Sequence, residues 1–178
     1  MRWLFGRSTD RAREAELSSF RAELEAAAQR DLQNGLLGLL AQRADELRLT
    51  EDDGALELEM LDGLQQLAGL VQLVERDGLP LVETQHRVIA GEPCRFSASA
   101  TRLGEAGGGD GTSGRLFLTD RRTVFLGPSV TSAPWPSIAH VGRAGRDLLL
   151  SGASSRLEFR LNTFADAMRA AWLSERLR

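Results

Sequence analysis

The sequence contains no lysine and no tyrosine, and it has only one cysteine, Cys94, and two histidines, His86 and His140. A single cysteine forms no internal disulfide, which favours a reducing compartment. Thiol–imidazole catalysis and zinc binding depend on cysteine and histidine, so few such sites are open to this chain. No stretch approaches the roughly 20 apolar residues of a membrane span, and the N-terminus lacks the apolar run of a signal peptide. We therefore expect a cytoplasmic, non-enzymatic protein that holds no cofactor and no metal.

Every basic residue is an arginine, and charge is divided unevenly along the 178 residues. Residues 1–82 carry 9 arginines and 16 acidic residues, a net charge of −7, whereas residues 83–178 carry 13 arginines and 9 acidic residues, a net charge of +4. This asymmetry indicates either two surfaces with different preferences or two halves that attract each other. The basic charge is spread over separate turns without interleaved aromatic residues, so we expect no nucleic-acid binding.

The first half of the chain has the apolar period of helices. One stripe runs from Leu17 to Leu40 and a second from Leu56 to Val74. Asn34-Gly35 predict a kink or break in the first helix, because glycine costs up to about 1 kcal/mol relative to alanine. Thr50, followed by three acidic residues, is the expected N-cap of the second helix. Residues 1–82 are therefore predicted to form a helical hairpin.

The second half changes to the alternating period of strands. Seven short strands with turns every 7 to 12 residues are expected, and residues 104–114 form a loop with six glycines. Strands this short are expected to close, or nearly close, into a barrel that hides their edges. A last helix begins at Thr163, which has the spacing of an N-cap with Asp166. It is predicted to plug the barrel with three large apolar side chains: Phe164, Met168 and Trp172.

Four motifs follow one another in the second half: GRLFLTDRRTVFLG (residues 114–127), APWPSIAHV, LLLSG and LEFRL, before the final helix. In this order they resemble the pleckstrin-homology-like superfold, in particular its bacterial and GRAM-like members, over residues ~86–178. With the helical half, which we assign to no family, the resemblance implies an α+β protein. Residues 1–82 would be the helical hairpin, and residues 83–178 a seven-stranded barrel with a C-terminal capping helix.

The resemblance also implies an interaction module that binds a protein partner or the anionic membrane surface, with a phospholipid-headgroup sensor as the alternative. Lipid-binding members of this superfold usually place basic residues at the first turn, which here is GEAGGGDGTSG and contains no arginine. Clustered guanidinium or ammonium groups are what a multivalent phosphate needs. Phosphoinositide binding is therefore the less favoured of these functions.

Arg121 and Arg122 lie in the turn of the GRLFLTDRRTVFLG hairpin and have two interpretations. They have a structural role, pairing with Asp120 or with helix carbonyls, or they contact an acidic partner or anionic lipid. In the second case Arg143 and Arg146, in the next turn at the same rim of this topology, would extend the basic patch.

Two other stretches are candidates for function. Trp3 and Phe5 lie between arginines in MRWLFGR, a composition typical of segments that enter a membrane interface. The alternative is that this segment docks onto its own helical region. Cys94 with His86 would be the thiol and base of a small enzyme. The position of Cys94 at the entry of a strand favours instead a cysteine packed as a small apolar residue.

Overall fold

The computed structural model describes residues 6–29, 34–104, 111–153 and 156–178, with the backbone alone at residues 6–10 and 34. These residues have the predicted α+β architecture, with four α-helices and one seven-stranded antiparallel sheet. They form two compact units, one that runs to Ala68 and one that runs from Gly69 to Arg178. The domain boundary between residues 82 and 83 stays a prediction.

The helical part of the chain contains α1 (Gly6–Ala28), α2 (Asn34–Glu46) and α3 (Ala55–Asp77). The sequence predicts two helices here, with a break near Asn34-Gly35. The structure divides the first of them at that place, since α1 ends at Ala28 and α2 begins at Asn34. The arrangement of these helices as a hairpin stays a prediction. The helical period of the apolar residues places them on one buried side of α1. Four side chains three or four residues apart are buried there: Leu17, Phe20, Leu24 and Ala27.

The start of α3 differs from the prediction. Thr50 was expected to cap this helix, but α3 begins at Ala55. The hydroxyl of Thr50 donates to Asp53 Oδ1 at 2.8 Å, and its amide donates to the same oxygen at 3.0 Å. These bonds, together with the guanidinium group of Arg13, lower the pKa of Asp53 to about 2. The capping prediction at Thr50 is wrong because its side chain closes a local turn before the helix instead of binding helix amides.

The seven strands follow one another along the chain. They are β1 (Cys94–Arg102), β2 (Thr112–Thr119), β3 (Arg122–Leu126), β4 (Val130–Pro134), β5 (His140–Ala144), β6 (Asp147–Ser151) and β7 (Arg156–Leu161). Their order in the sheet is β4-β3-β2-β1-β7-β6-β5, and each neighbouring pair is antiparallel. The predicted number of strands is confirmed. Closure into a barrel stays a prediction, because this pairing leaves β4 and β5 as the two edges.

The last helix, α4 (Phe164–Leu177), contacts β1, β2, β5, β6 and β7. Thr163 Oγ1 accepts a hydrogen bond from the amide of Asp166 at 3.1 Å, so the predicted N-cap is confirmed. We call the sheet face that α4 covers the inner face and the opposite one the outer face. Alternate residues of β1 and β2 are buried on the inner face, where they form the main core with Phe164 and Met168 of α4: Phe96, Ala98, Leu116 and Leu118.

Two tryptophans take different roles. Trp135 is 3% exposed and begins a short 3₁₀ turn, Trp135–Ser137, between β4 and β5. Its indole Nε1 donates to the carbonyl oxygen of Thr119 at 2.7 Å. Trp172 is only half-buried, and the guanidinium carbon of Arg176 lies 3.3 Å from the centre of its ring. The expectation that Trp172 fills the core is therefore wrong, because Leu173, the next residue, has the inward position on α4.

Candidate functional site

The turn between β2 and β3 is organised by one buried hydroxyl, that of Thr119. Thr119 Oγ1 accepts hydrogen bonds from the amides of Arg121 at 3.2 Å and Arg122 at 3.1 Å. It lies 2.7 Å from Glu92 Oε2, to which it donates. The turn is therefore tied at its base to a residue that precedes β1, and its two arginines have fixed backbone positions.

Arg122 belongs to the structure of this turn. Its Nη2 donates to Glu92 Oε1 at 2.7 Å and its Nε to the same oxygen at 3.0 Å. Nη2 also donates to the carbonyl oxygen of Val88 at 3.1 Å. The Arg122 guanidinium lowers the pKa of Glu92, an effect that partial burial opposes and Thr119 reinforces. The side chain of Arg121, in contrast, is exposed.

A second ion pair joins the same turn to the start of β1. Arg95 donates from Nε to Asp120 Oδ1 at 2.6 Å and from Nη2 to Asp120 Oδ2 at 2.8 Å, while its Nη1 donates to the carbonyl oxygen of Leu79 at 3.1 Å. Asp120 therefore pairs with Arg95 rather than with Arg121 or Arg122. The Arg122–Glu92 ion pair and the hydrogen bond from Arg95 to Leu79 therefore hold the two ends of residues 79–93 against the start of the sheet.

Residues 82–93 cover part of the outer face. Ile89, Cys94, Phe117 and Val124 form a buried cluster there, with Val82, Val88 and Leu126 packed around it. Cys94 reaches this face through an irregularity in the ladder between β1 and β2, at the step from Cys94 to Phe96. A bulge of this kind changes the face on which the next side chains lie, which puts Phe96 in the inner core.

Cys94 is 1% exposed, and its Sγ donates to the carbonyl oxygen of Phe96 at 3.2 Å. Burial raises the pKa of the Cys94 thiol. Because the thiolate is the nucleophilic form, this environment disfavours attack by Cys94. The ring of His86 lies against Phe117, with 5.8 Å between ring centres.

A groove of about 550 Å³ separates residues 82–88 from the outer side of β1 and β2. We call it the outer-face groove. Its apolar lining comes from Val82, Val88 and Phe117, and its polar lining includes His86 and Ser97. Its lining comes from three separate segments, which are residues 82–88, β1 and β2.

The charge of the outer-face groove is positive. Arg87 lies on the wall formed by residues 82–88, and Arg115 lies on the opposite wall, where its Nε donates to Ser97 Oγ at 2.7 Å. Both side chains are exposed, and within the described part of the chain neither forms an ion pair. Glu83 is the one acidic residue that lines the groove. Two uncompensated guanidinium groups against one carboxylate favour an acidic ligand.

The other candidate arginines, Arg143 and Arg146, make contacts within their own part of the fold. The β5–β6 turn, with Arg143 and Arg146, lies at the same end of the strands as the β2–β3 turn, as the register shows. Arg143 Nη1 donates to the carbonyl oxygen of Gly145 at 2.6 Å, and Arg146 lies over the ring of Phe164 at 5.1 Å. These contacts engage both arginines with their own surroundings. Trp3 and Phe5 lie outside the described residues.

Across 6–29, 34–104, 111–153 and 156–178, no group of three or more histidine, cysteine, aspartate or glutamate side chains is placed to hold a metal ion. None of the helices described is long and apolar enough to cross a membrane.

Sequence reasoning missed Arg87, Arg115 and Glu92. Arg87 and Arg115 lie 28 positions apart, and only the pairing of β1 with β2 and the folding of residues 82–88 across them bring them to one groove. Arg115 directly precedes the apolar run of the GRLFLTDRRTVFLG hairpin, so the alternation of side chains along a strand predicts its outward position. Arg87 carried no such signal.

No protein-family profile and no curated protein sequence matches this chain. Among solved structures, it is similar to the C-terminal domain of an unknown protein from Leishmania infantum, with 14% identity, a TM-score of 0.42, and coverage of 51% of this chain and 88% of that one. It is similar to the N-terminal PH domain of human ARAP2, with 10% identity, a TM-score of 0.42, and coverage of 46% and 76%.

A third similar structure is the DH/PH domain of human ARHGEF11, solved in a ternary complex with human RhoA and its inhibitor. The identity is 12% and the TM-score 0.44, and the match covers 90% of this chain and 53% of that one. This chain thus spans about half the length of that relative. At these identities and TM-scores the matches assign neither a family nor a function.

Proposed function

We propose that this protein is a non-enzymatic interaction module that binds a protein partner through the outer-face groove. The observation that carries the proposal is the pair of exposed guanidinium groups, Arg87 and Arg115, on opposite walls of a groove with an apolar floor. Apolar floors with a few placed polar groups are typical of binding sites. At the β2–β3 and β5–β6 turns, the guanidinium groups of Arg95, Arg122 and Arg143 form hydrogen bonds within the fold, whereas that of Arg121 is exposed.

The partner that suits the groove is an extended acidic segment with one apolar side chain. Its carboxylates would lie between Arg87 and Arg115, where charge-assisted hydrogen bonds are strong and directional. Its apolar side chain would lie on the floor beside Val82 and Phe117. In the described part of the chain, the backbone amides of residues 83–85 donate no hydrogen bond, so an extended peptide can pair with them.

Binding to an anionic membrane surface is the second candidate, and Arg121 is the observation that favours it. Its side chain is exposed at the tip of the β2–β3 turn. Arg122, however, is occupied by Glu92 and Val88, and Arg143 by the carbonyl of Gly145. Each basic residue near an anionic surface contributes about 1 kcal/mol, so one exposed arginine is a weak anchor. The same shortage of clustered donors weighs against a phospholipid-headgroup sensor.

The remaining alternative, a thiol enzyme that uses Cys94, is the least supported. The buried position and raised pKa of this thiol oppose the formation of a nucleophile. The assignment to the pleckstrin-homology-like superfold, with its bacterial and GRAM-like specifics, is part of our proposal and is supported by the number and order of the strands and by the closing helix α4. Location in the cytoplasm, with or without association to a membrane, is proposed on the composition alone.

Selection from a random peptide library tests this proposal. The full chain is immobilised, and the same library is passed over an Arg87→Ala/Arg115→Ala variant and over an Arg156→Ala control, which removes an exposed arginine outside the groove. We expect acidic peptides with an apolar residue to be enriched on the wild type and the control and lost on the double variant. Equal enrichment on all three proteins, or no enrichment on any, would overturn the proposal.

Binding to an anionic membrane surface is tested by a separate experiment. Co-sedimentation with vesicles of phosphatidylserine and phosphatidylcholine, at low and at high salt, separates it from peptide binding because surface attraction fades within a Debye length. We expect the protein to stay in the supernatant. Sedimentation that depends on salt and disappears in Arg121→Ala would favour the membrane surface instead.

A further inference from the structure

A second groove lies in the helical unit, between α1 and α2, and encloses about 700 Å³. We call it the α1–α2 groove. The apolar side chains that line it are small on the α1 side and large on the α2 side. They are Ala22, Ala26 and Ala27 from α1, and Leu36, Leu39 and Leu40 from α2.

Leu39 is the large apolar side chain of this groove that is most open to solvent. It is 65% exposed, although Leu40 beside it is 5% exposed. A single exposed leucine is ordinary on a protein surface. Here it continues into exposed Ala22 and half-buried Ala26, so the apolar surface is contiguous and open to solvent. A groove of this kind between two helices can bury the apolar stripe of a partner helix.

The dimensions of the groove suit a helix. The lining residues of α1 span positions 19–27, and those of α2 span positions 36–46. At 1.5 Å per residue these lengths are about 12 and 15 Å, or two to three helical turns. A partner helix with apolar residues at positions i, i+3 or i+4, and i+7 presents a stripe of the same length. The alanine side of the groove lets the backbone of such a helix approach closely.

The charge at the edges of the groove indicates what flanks that stripe. On the α2 side, Arg43 and Glu46 form an ion pair at 3.3 Å, so their charges compensate. On the α1 side, Glu23 is exposed and forms no ion pair with any residue the structure describes. The uncompensated charge at the groove is negative, and it calls for a lysine or arginine on the partner.

We propose that the α1–α2 groove binds one amphipathic helix of a partner protein, with its apolar stripe against Leu39 and the alanines and a basic residue beside Glu23. The helical half of a second copy is a poorer occupant, because residues 1–82 carry a net charge of −7 and would meet a surface of the same sign. This site is separate from the outer-face groove, and neither proposal depends on the other.

The probe for this proposal is a fluorescent peptide of leucine and lysine, about four turns long, with its leucines at helical spacing. A peptide of the same composition in scrambled order measures attraction that needs only charge. Fluorescence anisotropy with the full chain at about 0.15 M salt, where surface charges are screened beyond a Debye length, should show saturable one-to-one binding of the amphipathic peptide alone.

Three variants locate the binding. Leu39→Glu should weaken it at least about tenfold, which corresponds to 1.4 kcal/mol, although the added charge would attract a basic peptide. Ala22→Leu, which fills the floor at an exposed position, should weaken it as well. Leu81→Glu is the matched control, because Leu81 is 68% exposed and lies outside the groove. Circular dichroism confirms that each variant is folded.

Three results would overturn the proposal. Binding of the scrambled peptide as tight as that of the amphipathic one would show that charge alone holds the peptide. Equal binding by Leu39→Glu and Leu81→Glu would show that the peptide binds outside the groove. In sedimentation velocity, a wild-type dimer that becomes a monomer in Leu39→Glu would show that a second copy covers the groove.

Discussion

Arg122 and Glu92, 30 positions apart, are joined by two hydrogen bonds from separate guanidinium nitrogens, with Nη2 at 2.7 Å and Nε at 3.0 Å from Glu92 Oε1. The side chain of the neighbouring Arg121 is exposed and forms no ion pair with any residue that the structure describes. Two adjacent arginines in one turn thus have opposite roles, since one fixes residues 88–92 on the sheet and the other faces solvent. That contrast supplies a matched pair of variants.

Removal of Arg122 should destabilise the protein, whereas removal of Arg121 should not. Arg122→Ala leaves the carboxylate of Glu92 largely buried without its main partner, and the loss of such a charged hydrogen-bonded partner costs about 1–3 kcal/mol. Arg121→Ala should change the free energy of unfolding by less than about 0.5 kcal/mol. Urea denaturation of both variants measures the difference. Equal losses would show that the ion pair with Glu92 does not stabilise the turn.

The same ion pair predicts a dependence of stability on pH. Arg122 holds the pKa of Glu92 below its usual value, so the unfolded chain takes up this proton at a higher pH than the folded protein does. The stabilisation is therefore complete above the unfolded pKa, near 4.3, and is lost as the pH falls through the folded pKa.

Comparison with Glu92→Gln isolates this contribution. The wild type should be more stable than the variant at about pH 7, and the difference should shrink as the pH falls below about 4, where the unfolded carboxylate is protonated. Urea denaturation across this range provides the measurement. A difference in stability that stays constant with pH would contradict the assignment.

Gly114 should not tolerate a side chain. A Cβ atom there would lie 2.7 Å from the ring of Phe125 and would also collide with the carbonyl oxygen of Leu126 on the paired strand β3. Gly114→Ala should destabilise the sheet by about 1–3 kcal/mol, as overpacking does elsewhere. The control is Gly69→Ala in α3, where an added Cβ meets nothing within 4 Å beyond its own chain neighbours and the nearby helix backbone, and the substitution should stabilise the helix by up to about 1 kcal/mol. Thermal melting in which both variants shift alike would refute the prediction.

Trp135 and Trp172 should differ in their contribution to stability. Trp135→Ala removes a buried ring and its hydrogen bond to Thr119, at a cost of about 3–5 kcal/mol. Trp172→Ala removes a half-buried ring stacked on Arg176, and the loss should be nearer 1 kcal/mol. Chemical denaturation of both variants measures the free energy of unfolding. A larger decrease in Trp172→Ala than in Trp135→Ala would show that Trp172 belongs to the core.

Cys94 should resist alkylation in the folded protein. Its thiol is buried and its pKa is raised, so iodoacetamide should leave it unmodified under native conditions and modify it after unfolding in urea. Mass spectrometry before and after denaturation reads the outcome directly. Rapid modification of the native protein would reopen the interpretation of Cys94 as a nucleophile.

Local patterns predicted much of the fold. The spacing of Thr163 and Asp166 predicted the cap of α4. The alternating period predicted for the second half is seen in β1, where Phe96, Ala98 and Ala100 are buried. Asn34-Gly35 marked the start of α2. Each of these features depends on residues within a few positions of one another, which is why the sequence alone indicates them.

Features that depend on distant residues could not be predicted in the same way. Glu92 carries no pattern that names Arg122 as its partner, and Cys94 reaches the outer face only through a bulge in the ladder with β2. Thr50 lies where a helix cap is expected, but its hydroxyl binds Asp53. A cap and a local turn both give this hydroxyl a hydrogen-bond partner, so the sequence alone does not decide between them. The two grooves were missed for this reason as well, since each is formed where separate segments meet.

The central claim is that Arg87 and Arg115 bind an acidic protein segment in the outer-face groove. The most direct measurement is isothermal titration of one acidic peptide, enriched by the library selection, into the wild type, the Arg87→Ala/Arg115→Ala variant and Arg121→Ala. Our account predicts one-to-one binding that weakens at least about tenfold in the double variant, or 1.4 kcal/mol, and is unchanged in Arg121→Ala. Equal affinity for the wild type and the double variant, or a loss only in Arg121→Ala, would contradict it.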